Sequence, residues 1–234
     1  MLEELKERVC NANKLLPRNN LCLFSWGNVS AVDREKGMMV IKPTGISFEK
    51  LTAKDMSVVD MDGKSIEGLP PSFDTPTHLE LYRSFTNIGG ITHVHSKWAT
   101  IMAQIGLDIP VFGATHAEYF YGDIPCTKPL TNEQIQKDYR TETGLQIVRT
   151  LYENKLTPEQ MGACLALSHG PFTWGTTELV AVQNAIVLEE IAMAAWFIMQ
   201  VPFKVGAVPR AILDEHYYAR NGKTKATGQI PNVI

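Results

Sequence analysis

Two histidines, His93 and His95, stand two positions apart in the stretch GGITHVHSKWAT, in a chain that has only six. A β-strand turns successive side chains to opposite faces, so residues two apart leave the backbone on the same side. Burying two unpaired imidazoles together is costly, so the spacing asks for something between them. A third histidine, His169, follows the apolar run ACLALS and precedes Gly170-Pro171, and Asp74 opens the helix before the HxH strand. Three imidazoles with one carboxylate suit Zn²⁺ and leave a coordination position for water or substrate. The spacing is loose, however, and the alternative is a set of core or surface histidines with ordinary hydrogen bonds.

A second group of segments could hold an anion. WGNVSAV (26–32) and IKPTGI (41–46) are rich in Gly, Asn, Ser and Thr, with Lys42 among them. Backbone N–H groups, a hydroxyl and one ammonium suffice for a phosphate. PPSF (70–73) leads into a helix N-terminus, where free N–H groups favour negative charge. Each segment taken alone also reads as an ordinary turn. The other histidines carry weaker signals. His78 reads as a helix-surface residue, His116 as part of a polar loop, and His216 as a surface or interface residue of the last helix.

These residues must be positioned by a scaffold. Leu2, Leu5, Val9, Ala12 and Leu16 repeat at helical spacing, and LCLFSW (21–26) and MMVIK (38–42) read as strands. SVVDMDGKSIEG (57–68) reads as a hairpin around Asp62-Gly63. Thr75 as N-cap with Pro76 behind it predicts a helix that runs toward Gly89-Gly90. ITHVH is a strand, followed by a helix over about 96–104. A capping box, Thr131 to Gln134, opens a long helix. ACLALS (163–168) is a strand and 177–200 an apolar helix. This pattern predicts a single three-layer α/β/α domain over residues 1–234, with a mostly antiparallel sheet flanked by helices.

Composition narrows the class. The chain has 234 residues, 44% apolar and 20% charged, with a net charge of −3. That is a globular composition, without the basic footprint expected for nucleic acid or an anionic membrane. The N-terminus lacks a signal-peptide pattern, and the most apolar helix carries Gln183, Asn184, Glu189 and Glu190. A cytoplasmic protein is the expectation. Cys10, Cys22, Cys126 and Cys164 show no C-x-x-C spacing and read as small core hydrophobes.

The motifs SWGNVSAVDRE, VIKPTG, SFDTPTHLELY, IGGITHVHS, THAEYFYGDIPCT and SHGPFTWG occur in the order found in the L-ribulose-5-phosphate 4-epimerases. The chain resembles this group of the class II aldolase/adducin-head family from about residue 1 to about residue 222. The resemblance implies one Zn²⁺ per subunit on His93, His95 and His169, with Asp74 lining the metal. It implies a substrate phosphate on Gly27, Asn28, Lys42, Thr44, Gly45 and Ser72. Phe73 replaces a usual serine, which removes one hydroxyl contact. The implied reaction interconverts L-ribulose 5-phosphate and D-xylulose 5-phosphate, breaking and re-forming C3–C4 with inversion at C4. It also implies a homotetramer with shared active sites, in which 205–234 forms a tail completing a neighbour's site.

Three positions depart from the family's pattern on the acid/base side. Glu118 stands where an aspartate is usual, Thr227 where a tyrosine is usual, and Arg140 where an acidic residue is expected. An aliphatic hydroxyl is far less acidic than a phenol, so Thr227 cannot relay a proton as tyrosine does. Two other readings follow: a class II aldolase acting on a related sugar phosphate, and a non-catalytic scaffold like the adducin head.

Overall fold

The computed structural model describes residues 2–222. Seven strands form one sheet: β1 (Asn28–Asp33), β2 (Met38–Ile41), β3 (Ser57–Asp60), β4 (Ser65–Glu67), β5 (Gly90–His93), β6 (Ala163–Ala166) and β7 (Gly170–Gly175). Their order is β4-β3-β2-β1-β5-β7-β6, and every neighbouring pair is antiparallel. The helices are α1 (Glu3–Arg18), α2 (Thr75–Ser84), α3 (Lys97–Ile105), α4 (Ala114–Tyr119), α5 (Asn132–Glu153), α6 (Glu178–Met199) and α7 (Arg210–Asn221).

Alternation along the strands sorts the core into layers. Met39 and Ile41 pack with Leu79 and Tyr82 of α2 and Ile147 and Leu151 of α5, whereas Val40 faces Leu5 and Val9 of α1. Cys164 and Ala166 join the first group, and Ala163 and Leu165 join α3 and α6 on the other face. The result is the expected three-layer single domain. The four cysteines are free, and three of them are buried.

Several local expectations needed correction. Residues 21–26 are not a strand: Leu21 and Cys22 are buried, but Phe24 adopts a positive φ of 53° and is exposed, so the apolar run turns instead of extending. GPFTWG, flanked by glycines and containing a proline, is nonetheless strand β7. Asp74, not Thr75, is the N-cap residue of α2. This helix also stops at Ser84, earlier than its pattern suggests. Arg34 donates to the carbonyls of Tyr82, Phe85 and Ile88, satisfying acceptors at the helix end.

A helix apolar enough to cross a membrane by length and composition, α6, runs along the sheet. Its Glu178 is buried and paired with Arg8 at 2.9 and 3.1 Å. Further along, the Glu189 carboxylate accepts from the backbone N–H of Trp98 (2.8 Å) and Ala99 (3.0 Å), capping α3 from outside its own sequence.

His78 lies on the core side of α2, not on its surface. Its Nδ1 is 2.7 Å from Ser30 Oγ, which also meets the Tyr82 hydroxyl at 2.9 Å. Burial pulls this imidazole down to about 3, with Asp74 opposing only in part. On α4, His116 is buried as well and pulled down to about 4, chiefly by burial. The folded chain therefore resists protons that an unfolded chain takes up near the ordinary histidine value. Stability is complete above about pH 6.5 and is lost as pH falls toward the folded-state values. Chemical unfolding followed from pH 7.5 to 4.5 is expected to show this decline, and His78→Asn should make it shallower.

Candidate metal and anion site

The sheet register sets out the centre of the site. Asn28, His93 and Phe172 are consecutive cross-strand neighbours on β1, β5 and β7. The His93 ring stacks on Phe172, 4.1 Å between centroids and 13° from parallel. Strand β5 stops at His93, so the HxH pair straddles its end and is not wholly within a ladder. His95 lies just past it, with the two ring centroids 4.9 Å apart. His169 arrives from the tight β6–β7 turn, where Ser168 has a φ of 60° and the His169 N–H donates to Ala166 O at 3.0 Å. Gly27 makes room for this closure: a Cβ there would sit 2.8 Å from His93 O, and its φ of +86° suits glycine.

One ligating atom from each of His93, His95 and His169 falls within 4.8 Å of the others. His93 Nδ1 is 2.9 Å from Pro171 O, a contact that requires the proton on Nδ1 and leaves a lone pair on Nε2. That Nε2 faces His95 Nε2 at 3.2 Å. Tetrahedral Zn²⁺ with bonds of about 2.0–2.1 Å holds its nitrogen ligands about 3.3 Å apart, a spacing that the His93–His95 pair matches and that His169 approaches within the 4.8 Å cluster. Tyr139 of α5 lies with its hydroxyl 3.2 Å from His169 Nδ1, orienting the third ring as outer partners of metal ligands do. Burial, reinforced by His93, pulls His95 down to about 4 and His169 to about 3, so both offer neutral nitrogens at neutral pH.

Asp74 lines the same cleft as His95 and His169. Its Oδ2 accepts from Asn28 Nδ2 at 2.8 Å and lies 3.5 Å from Ser72 Oγ. Burial would raise this carboxyl, but the hydrogen bond from the Asn28 amide favours its charged form. It therefore stands as an anion beside the imidazoles.

The cleft, about 530 Å³, gathers the segments expected to hold an anion. Gly27 and Asn28 come from the start of β1, Lys42, Thr44 and Gly45 from the end of β2, and Ser72 and Phe73 from the turn before α2. Lys42 is the notable member. It is buried, its ammonium meets only Ser25 O and Pro43 O, both at 3.3 Å, and it lies 4.9 Å from the centre of the Phe48 ring. No carboxylate pairs with it among the described residues, and burial lowers it to about 8. Phe73 is exposed, and Arg140 sits over its ring.

Glu118 lies elsewhere. It is half exposed on α4, its carboxylate is 3.6 Å from His216 Nδ1 of α7, and it lines no part of the cleft in its own chain. Thr227 lies outside the described residues. Sequence reasoning missed Tyr139, which nothing in its local pattern distinguishes. Changing His93 or His95 to Ala is expected to abolish stoichiometric zinc in elemental analysis of the purified protein, while the far-ultraviolet circular dichroism is retained.

The model of the family called Class II Aldolase and Adducin N-terminal domain matches residues 7–196. Among solved structures, an L-fuculose 1-phosphate aldolase superposes with a TM-score of 0.78 at 24% identity, covering 91% of this chain and 94% of that one. YgbL from Escherichia coli, for which an aldolase, epimerase or decarboxylase role has been suggested, superposes with a TM-score of 0.72 at 24% identity, covering 91% and 97%. The L-fuculose 1-phosphate aldolase from Glaciozyma antarctica PI12 gives 0.75 at 19% identity over 92% and 80%. These likenesses establish the fold, and the family match covers most of the chain. The chain belongs to the class II aldolase and adducin N-terminal domain family.

Proposed function

We propose that the protein is a zinc-dependent L-ribulose-5-phosphate 4-epimerase. The observation that carries this reading is the convergence of three imidazoles at the cleft that also holds the buried ammonium of Lys42, which has no carboxylate partner among the described residues. A substrate with adjacent oxygens at one end and a phosphate at the other satisfies both. A divalent cation on the trio supplies Lewis-acid stabilisation of the oxyanion that develops when C3–C4 breaks. The chain's own residues do the rest. Lys42, Thr44, Gly45 and Ser72 hold the phosphate, and Asn28 fixes Asp74. Those anchors keep the aldehyde fragment in the cleft while its carbonyl turns its other face.

Asp74 supports epimerisation over simple cleavage. Similar aldolases acting on deoxyketose 1-phosphates tend to carry the longer glutamate there as the proton-transfer base. Here the shorter carboxylate is fixed by the Asn28 amide at 2.8 Å, which suits positioning better than proton transfer. Proton transfer at the C4 hydroxyl then falls to Glu118. Because Glu118 lies outside its own chain's cleft, it serves that of a neighbouring copy. The proposed assembly is therefore a homotetramer in which 205–234 helps to complete the neighbour's site. Exposed Phe197, Met199, Val201 and Phe203 at the end of α6 and beyond give such an assembly apolar surface to bury. The three histidines argue against a scaffold without chemistry.

A second reading, a class II aldolase for a related sugar phosphate, is favoured by Thr227 in place of tyrosine. Incubation of the zinc-loaded protein with L-ribulose 5-phosphate separates the two. D-Xylulose 5-phosphate is expected; free glycolaldehyde phosphate without it would support the aldolase. Glu118→Gln should lower kcat by about 10²- to 10⁴-fold without loss of zinc. Light scattering at micromolar concentration should give the mass of four chains.

A further inference from the structure

Helix α5 is broken at Asp138, whose φ of −167° and ψ of 92° are not helical. The break leaves Tyr139 beside His169 and brings Arg140 to the cleft wall. The backbone there is held from several sides. Thr77 Oγ1 donates to Arg140 O at 2.8 Å, and Thr143 Oγ1 donates to Tyr139 O at 2.7 Å. The Asp138 carboxylate accepts from the N–H groups of Arg140 and Thr141, both at 3.2 Å, and from Thr141 Oγ1 at 2.7 Å.

The Arg140 guanidinium lies 5.1 Å from the centre of the Phe73 ring. A guanidinium resting on an aromatic face keeps its N–H edges available for an oxyanion. Among the described residues no carboxylate forms an ion pair with it, since Asp138 is occupied as above. A phosphate dianion held by Lys42 alone would keep about one charge uncompensated.

We propose that Arg140, braced on Phe73, is a specificity-determining residue that supplies the second positive charge to the substrate's phosphate. It does the work of the hydroxyl that a serine at position 73 would provide. This assignment rests on the phosphate reading of the cleft. It makes the preferred substrate a phosphorylated sugar, with the free sugar gaining nothing from Arg140.

The test is titration of inorganic phosphate into the zinc-loaded full chain by calorimetry, for the unaltered protein, Arg140→Ala, Ser72→Ala and the double variant Phe73→Ser/Arg140→Ala. The side chains of Arg140 and Phe73 are exposed, so thermal unfolding of Arg140→Ala and of the double variant should be unchanged. Arg140→Ala should weaken phosphate binding about tenfold or more, the usual scale for a lost charge-assisted contact. The double variant should recover part of that loss, because the new hydroxyl takes up the phosphate. If Ser72→Ala weakens binding and Arg140→Ala does not, the role given to Arg140 is overturned and the cleft reading stands. If neither variant matters, both fall. A loss in Arg140→Ala with no recovery in the double variant would overturn the assignment too, because Arg140 would then serve some other group.

Discussion

Three imidazole rings that converge on one point are the constraint on which the rest of this structure depends. At 3.2 Å the Nε2 atoms of His93 and His95 must share either one proton or one cation. The fold supports the arrangement with fixed partners. Pro171 O sets the tautomer of His93, Tyr139 orients His169, and Phe172 lies flat beneath the His93 ring. Two of these partners sit on β7 and one on α5, so assembling the trio requires β5, β7 and α5 to be in register together. A site that the secondary structure must complete before it exists is also one that a cation would stabilise when bound.

Much of this was legible in the sequence for local reasons. The capping box at Thr131 marks where α5 begins, and the H-x-H spacing on extended backbone puts the two rings on one side. Alternation in MMVIK assigns Met39 and Ile41 to one layer and Val40 to the other. What stayed hidden depends on partners far along the chain. His78 reads as a surface residue until Ser30, 48 positions away, is seen beside it. β7 is masked by its glycines and proline, and only its neighbours β5 and β6 make GPFTWG extended. The family resemblance brought the segments of the cleft together, but neither it nor the spacing revealed that Arg140 and Phe73 are paired.

That pairing changes how the departures from the family's pattern are read. Taken one by one, a lost hydroxyl at 73 and an unexpected cation at 140 look like erosion of a site. Side by side, with the ring supporting the guanidinium, they are two halves of one substitution. Glu118, which lies away from this wall of the cleft, and Thr227, outside the described residues, form a separate problem that bears on the proposed proton handling.

The half-buried Glu189 carboxylate carries one last implication. Helix α6 is oily enough to be at home in a lipid bilayer, yet midway along it a carboxylate is committed to two amides at the head of α3. Sliding or rolling the helix would strip those amides of their acceptor. The polar residue thus acts as an index pin: it fixes the rotational setting of the longest apolar element, and with it the turn that carries His95.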